Sequence, residues 1–150
     1  MDKLKKKVIE KMNKDLTDNY NAIYQSYIDA KESRDNDTKS SAGDKYETGR
    51  AMMQQEMDQA EKRLAQIKAL KNELNRLPLE ETSSTVIPGS FIKTTSGLFF
   101  IGVSLGKVEV GDQVIFAIST ASPLGKLLHA KEVGDSILFN GQEQTIELIQ

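Results

Sequence analysis

The chain has 150 residues, of which 38% are hydrophobic and 28% charged, and its formal net charge is −2. That length admits one ordinary domain or two small ones, and the low apolar content suits a long solvated helical part better than a single compact globule. The near-balanced charge supplies no global basic field of the kind nucleic-acid binding uses, and the absence of Cys excludes disulfides, thiolate metal sites and cysteine nucleophiles.

The chain opens on a basic cluster, Lys3, Lys5, Lys6 and Lys7, read as a solvated helix end, with a phosphate or acidic-partner contact as the alternative. This start lacks the apolar core of a signal peptide. No stretch approaches the roughly 20 apolar residues that cross a bilayer, so a cytoplasmic protein without a membrane partner is expected. From Leu4 to about Glu32 there is no Gly or Pro. Ile9, Leu16, Tyr20, Ile23, Tyr27 and Ala30 follow an alternating three-and-four spacing, with Asn13 in the missing place. That is a coiled-coil seam, in which a polar Asn can set register. Val8, Met12 and Tyr24 widen the stripe.

Ser33 to Gly43 is polar apart from one Ala and reads as the tip of a hairpin. Ser41 followed by Asp44 resembles a capping box, which puts Asp44 and Glu47 in the first turns of a second helix. That helix is expected from about Asp44 to Leu77, with Met53, Met57, Ala60, Leu64, Ile67, Lys71 and Leu74 as its seam. Each arm of about 30 residues is roughly 45 Å long, and the short joint requires antiparallel pairing. Pro78 ends the second arm.

A polar linker, 79–85, leads to a part rich in Gly and short apolar runs. Strands are expected at Ser90–Thr94, Leu98–Val103, Gln113–Ile118, Ser136–Phe139 and Thr145–Ile149. Turns fall at Ser96-Gly97, Gly111-Asp112, Gly134-Asp135 and Asn140-Gly141, the last a strong hairpin signal. Ser122-Pro123 opens a short helix running to about His129. The expected architecture is α+β in two domains. Residues 1–78 form an antiparallel helical hairpin, and 86–150 form an antiparallel sheet with one short helix.

No catalytic set assembles from local motifs: there is a single His, and neither a phosphate-binding loop nor a nucleophile elbow. His129, at the end of the short helix, suits capping. Asp44 and Glu47, three apart on a helix, share one face. Together they can serve a Mg²⁺ ion as a donated half-site, or simply complement the helix dipole.

Gly43-Asp44-Lys45-Tyr46-Glu47 at a hairpin tip resembles the acid-bearing tip of the bacterial Gre transcript cleavage factors, Gly-Asp-x-x-Glu-Asn. Ile118-Ser119-Thr120-Ala121-Ser122-Pro123-Leu124-Gly125-Lys126-Leu127-Leu128, then Lys131 to Asp135, resembles the C-terminal domain of the same family. The resemblance implies a coiled-coil hairpin joined to an FKBP-like domain in a transcription elongation factor. It implies no enzyme of its own, but a protein that stimulates hydrolysis by RNA polymerase. The C-terminal domain docks at the rim of the polymerase secondary channel, here through Ser122, Pro123, Leu124, Gly125 and Lys131. The hairpin enters the channel, and Asp44 and Glu47 help bind the second catalytic Mg²⁺, so that backtracked RNA is cleaved. RNA and DNA are met only within the elongation complex, and the chain is expected to be monomeric. Where the family continues Glu-Asn-x-x-Tyr, this chain has Glu47-Thr48-Gly49-Arg50-Ala51. The alternatives are a Gre-like channel-binding regulator without cleavage activity and a coiled-coil adaptor. An FKBP-type isomerase is disfavoured because the small domain lacks an aromatic-rich pocket.

Overall fold

The computed structural model describes the backbone of residues 2–36 and 43–150 and the side chains of 2–36 and 47–150. Two helices of 34 residues each, α1 (Lys3–Asn36) and α2 (Gly43–Arg76), form a hairpin. The chain divides into two compact units, one of residues 15–69 and the other of residues 1–14 with 70–150.

In the 15–69 unit the buried side chains are Leu16, Ala30, Met57 and Ala60, with Tyr20, Ile23, Tyr27, Met53, Leu64 and Ile67 half-buried. These are the seam positions that the three-and-four spacing selects, because only one stripe of each helix can face its partner. Ser33 to Asn36, expected in the tip, are instead the last turn of α1. The Arg34 guanidinium donates to Gln54 Oε1 on α2 at 2.7 Å and to Asp35 Oδ1 at 3.1–3.2 Å, which ties that turn down. Residues 37–42, the remainder of the expected tip, lie outside the described residues. Tyr20, Tyr24 and Tyr27 stack successively, with ring centroids 6.4 and 6.3 Å apart, and Tyr24 is exposed.

In the other unit the stripe on α1 moves by one residue. Lys5, Val8 and Met12 are buried, whereas Ile9 and Asn13 are only half-buried. Asn13 does not set register across the hairpin, since its amide donates back to the Ile9 carbonyl of its own helix at 3.3 Å. Lys5 is likewise not part of a solvated end.

The six-stranded sheet contains β1 (Phe91–Thr94), β2 (Gly97–Ile101), β3 (Gly106–Val110), β4 (Gln113–Ile118), β5 (Ser136–Phe139) and β6 (Gln142–Ile149), in the spatial order β3-β4-β2-β1-β6-β5. Every neighbouring pair is antiparallel except β2–β4. The parallel pair arises because β3, which the sequence reading omits, folds back at the edge and lets β4 insert beside β2. Hairpins β1–β2, β3–β4 and β5–β6 close over two residues each, as their registers Thr94↔Gly97, Val110↔Gln113 and Phe139↔Gln142 require. Asn140 and Gly141 both take positive φ, 51° and 76°, the geometry of a type I′ turn whose twist matches its strands.

Helix α3 (Pro123–Leu128) covers one face of the sheet. Leu124 and Leu128 join Val86, Ile92, Phe99, Ile101, Ile137 and Ile146 in its core. On the other face Phe91, Phe100, Ile115 and Ala117 are also buried. The 79–85 segment is not a loose tether. Thr85 bridges Glu132, Val86 N–H donates to the Lys131 carbonyl at 2.8 Å, and Ala130 N–H donates back to Val86 at 3.0 Å.

Candidate functional site

The tip acids stand where α2 begins. Gly43 is its first residue, so the backbones of Asp44 and Glu47 lie in its opening turns, as the capping signal predicts. Glu47 is exposed, and the Asp44 side chain lies outside the described residues. Thr48 is exposed and Gly49 half-buried, both within the helix. The paired helix α1 brings Arg34, Asp35 and Asn36 to the same end of the hairpin.

Two carboxylates do not make a self-sufficient metal site, and among the described residues no three His, Cys, Asp or Glu side chains converge on one. Their chemistry still fits a shared Mg²⁺. That ion is commonly held by one or two carboxylates and keeps several waters or substrate oxygens as its other ligands. The positive end of the helix dipole would partly offset the repulsion between two acids in one turn.

The second set of predicted residues surrounds α3. Ser122 is its N-cap: the hydroxyl accepts the Gly125 N–H at 3.0 Å and donates to the Ser119 carbonyl at 2.7 Å. Pro123 follows at the first helical position, where its missing N–H costs nothing. A Cβ on Gly125 would overlap the Ser119 carbonyl oxygen, so no larger residue fits there without movement. Leu124 points into the core. Ser122, Leu124 and Gly125 are thus joined as a cap and a packing contact that set the position of α3. Pro123 and Lys131 are exposed, together with Lys126, Leu127 and Val133, the last 57% exposed. His129 is exposed, and its backbone N–H, not its ring, closes the helix by donating to the Gly125 carbonyl at 3.1 Å.

Lys5 is the residue whose setting the sequence reading misses. Its signal was present: Lys5, Val8 and Met12 lie at i, i+3 and i+7, one face of a helix. Among the described residues no helix is long and apolar enough to cross a membrane.

No protein-family model matches the chain, and no curated protein matches it. Among solved structures it is similar to that of the transcription factor Gfh1. The identity is 20%, 93% of each chain is covered, and the TM-score is 0.37.

Proposed function

We propose that this chain is a Gre-type transcription factor. It binds RNA polymerase through the α3 side of its sheet domain and inserts the helical hairpin into the secondary channel. There Asp44 and Glu47 assist hydrolysis of backtracked RNA. The observation that carries this reading is the acid pair heading a continuous 34-residue helix, itself paired with a second of equal length. Each is about 51 Å long at 1.5 Å per residue. A local core has no need of such length, whereas presenting a half-site inside another enzyme does.

Asp44 and Glu47 would hold a Mg²⁺ shared with the polymerase, which when bound stabilises charge on the phosphodiester and acidifies a water. The carboxylates themselves accept hydrogen bonds from that water, orient it, and add negative charge that retains the ion. Pro123 and Lys131 offer exposed docking contacts, and Ser122, Leu124 and Gly125 hold the surface that presents them. The neighbour of Glu47 is Thr48, not the family's Asn, and Gly49 follows it inside the helix. This difference favours, as a second reading, a factor that occupies the channel without promoting cleavage.

The test uses stalled, backtracked elongation complexes with the wild type, Asp44→Asn and Glu47→Gln. Mg²⁺-dependent cleavage should fall at least about tenfold in either variant, equivalent to about 1.4 kcal/mol of transition-state stabilisation, while polymerase binding persists. Cleavage unaffected by both substitutions would remove the acids from the chemistry. Binding without cleavage by the wild type would select the second reading, and no binding would leave an adaptor.

A further inference from the structure

Strand β3 is one edge of the sheet, and among the described residues no strand pairs with its outer side. The two-residue turn that joins Val110 to Gln113 fixes which groups face that side. Val110 and Gln113 close the turn as a hydrogen-bonded pair, and such pairs alternate along an antiparallel ladder. Val110, Val108 and Gly106 therefore bond to β4, whereas Lys107 and Glu109 turn their backbone N–H and C=O outward. Among the described residues no backbone partner meets those outward groups. The Lys107 and Glu109 side chains share one face of the sheet with Phe116 and Val114, their partners on β4. Phe116 and Val114 are 43% and 36% exposed, so this strip of the sheet has an uncovered apolar margin.

An open edge is normally blunted by charge. Lys107 and Glu109 do not blunt this one against its own copy. Laid antiparallel on itself with Val108 on the twofold axis, β3 sets Lys107 opposite Glu109 of the second copy, and Glu109 opposite Lys107. These are the positions whose backbone groups face outward, so charge and hydrogen-bond pattern demand the same register. Each pair exchanges both N–H···O bonds and brings opposite charges directly across from one another. The ion pair within β3 competes little. Lys107 Nζ and Glu109 Oε1 are 3.0 Å apart, but their side chains are 57% and 64% exposed and the contact is solvated. Each row across the joined sheets then runs Phe116, Lys107, Glu109, Val114, and the aliphatic stems of Lys107 and Glu109 can lie over the apolar margin. The opposite edge, β5, has no charged residue and so nothing to fix a register with a second copy. We propose that β3 is a homodimerisation edge at which two copies of this chain join their sheets, independent of any role of the hairpin tip. The contact is short, so the dimer is weak, with a Kd on the order of 0.1–1 mM.

The test is sedimentation equilibrium of the full chain from about 0.01 to about 2 mM, with amide NMR shifts followed over the same range. The 16.7 kDa chain should approach twice its mass at the upper end, and the amides that move should centre on Lys107 and Glu109. Lys107→Glu and Glu109→Lys each set like charges opposite one another, and each alone should weaken dimerisation at least about tenfold. An equimolar mixture of the two variants should recover it, because each supplies the charges the other lacks. The doubly exchanged chain, Lys107→Glu with Glu109→Lys, should recover it as well. The proposal is overturned if the wild type keeps its monomer mass throughout, if the shifts map elsewhere, or if the single variants associate as tightly as wild type. It is also overturned if the mixture or the exchanged chain fails to recover association.

Discussion

Replacing Gly125 by Ala separates two readings of the Ser-Pro-x-Gly segment, a set of contact residues or a device that positions α3. Gly125 has an ordinary helical φ, so backbone strain plays no part, and Ala alone would favour the helix by about 1 kcal/mol. Against this, the new methyl group meets the Ser119 carbonyl oxygen, with Ser122 Oγ at 2.8 Å. Neither neighbour yields easily. Ser119 O already accepts from the Ser122 hydroxyl at 2.7 Å and from the Ser122 N–H at 3.2 Å. Overpacking of this kind costs about 1–3 kcal/mol, and displacing the cap adds about 1 kcal/mol. The net loss at the upper end of that range is about 3 kcal/mol, or about 6–12 °C in Tm for a chain of this size. Differential scanning calorimetry of wild type and Gly125→Ala measures it. Ser122→Ala, which removes the cap without a clash, serves as comparison at about 1 kcal/mol. A Gly125→Ala protein that melts at or above the wild-type temperature would refute the steric argument, because helix propensity would then have prevailed.

Lys5 makes stability depend on pH at the alkaline end. Its folded pKa lies below the ordinary 10.5, so the unfolded chain holds the proton more tightly. Stability should therefore rise as pH climbs from the folded value toward 10.5, and be lower below that window. Thermal melts across the range should show this rise in wild type and not in Lys5→Met. Thr94→Val should cost about 1–3 kcal/mol in urea unfolding, because Thr94 Oγ1 donates to buried Gln144 Oε1 at 2.7 Å and valine leaves that oxygen unpartnered. Gly141→Ala should cost about 1–2 kcal/mol from its positive φ, and hydrogen exchange should quicken in β5 and β6 before other strands.

How much was legible in advance varies with how local the cause is. The α2 seam from Met53 to Leu74, the Asn140-Gly141 turn and the Ser122 cap depend on periodicity or on residues within a few positions, and the structure has them as read. The last turn of α1 was hidden because its composition favours a loop, and it is held by Arg34 reaching Gln54, twenty residues away. Strand β3 was hidden because Gly-Lys-Val-Glu-Val offers two apolar residues and buries only Val108 on the sheet edge. The acid pair of the tip was legible as a motif and as the opening turns of a helix.

The α+β class, the helical hairpin and the Asn140-Gly141 turn follow from spacing and from single-residue backbone preferences, whereas the turn expected at Ser96-Gly97 falls one residue earlier, at Thr95-Ser96, because Gly97 already pairs with Thr94. Tertiary structure alone decided the parallel placement of β4 beside β2, because strand order depends on which edge is free when β3 folds back. It also decided the fate of Lys5. A lysine near the start of a basic run is solvated by default, whereas here Lys5 is buried in the fold, beside a cleft that 79–83 and the end of β6 also line.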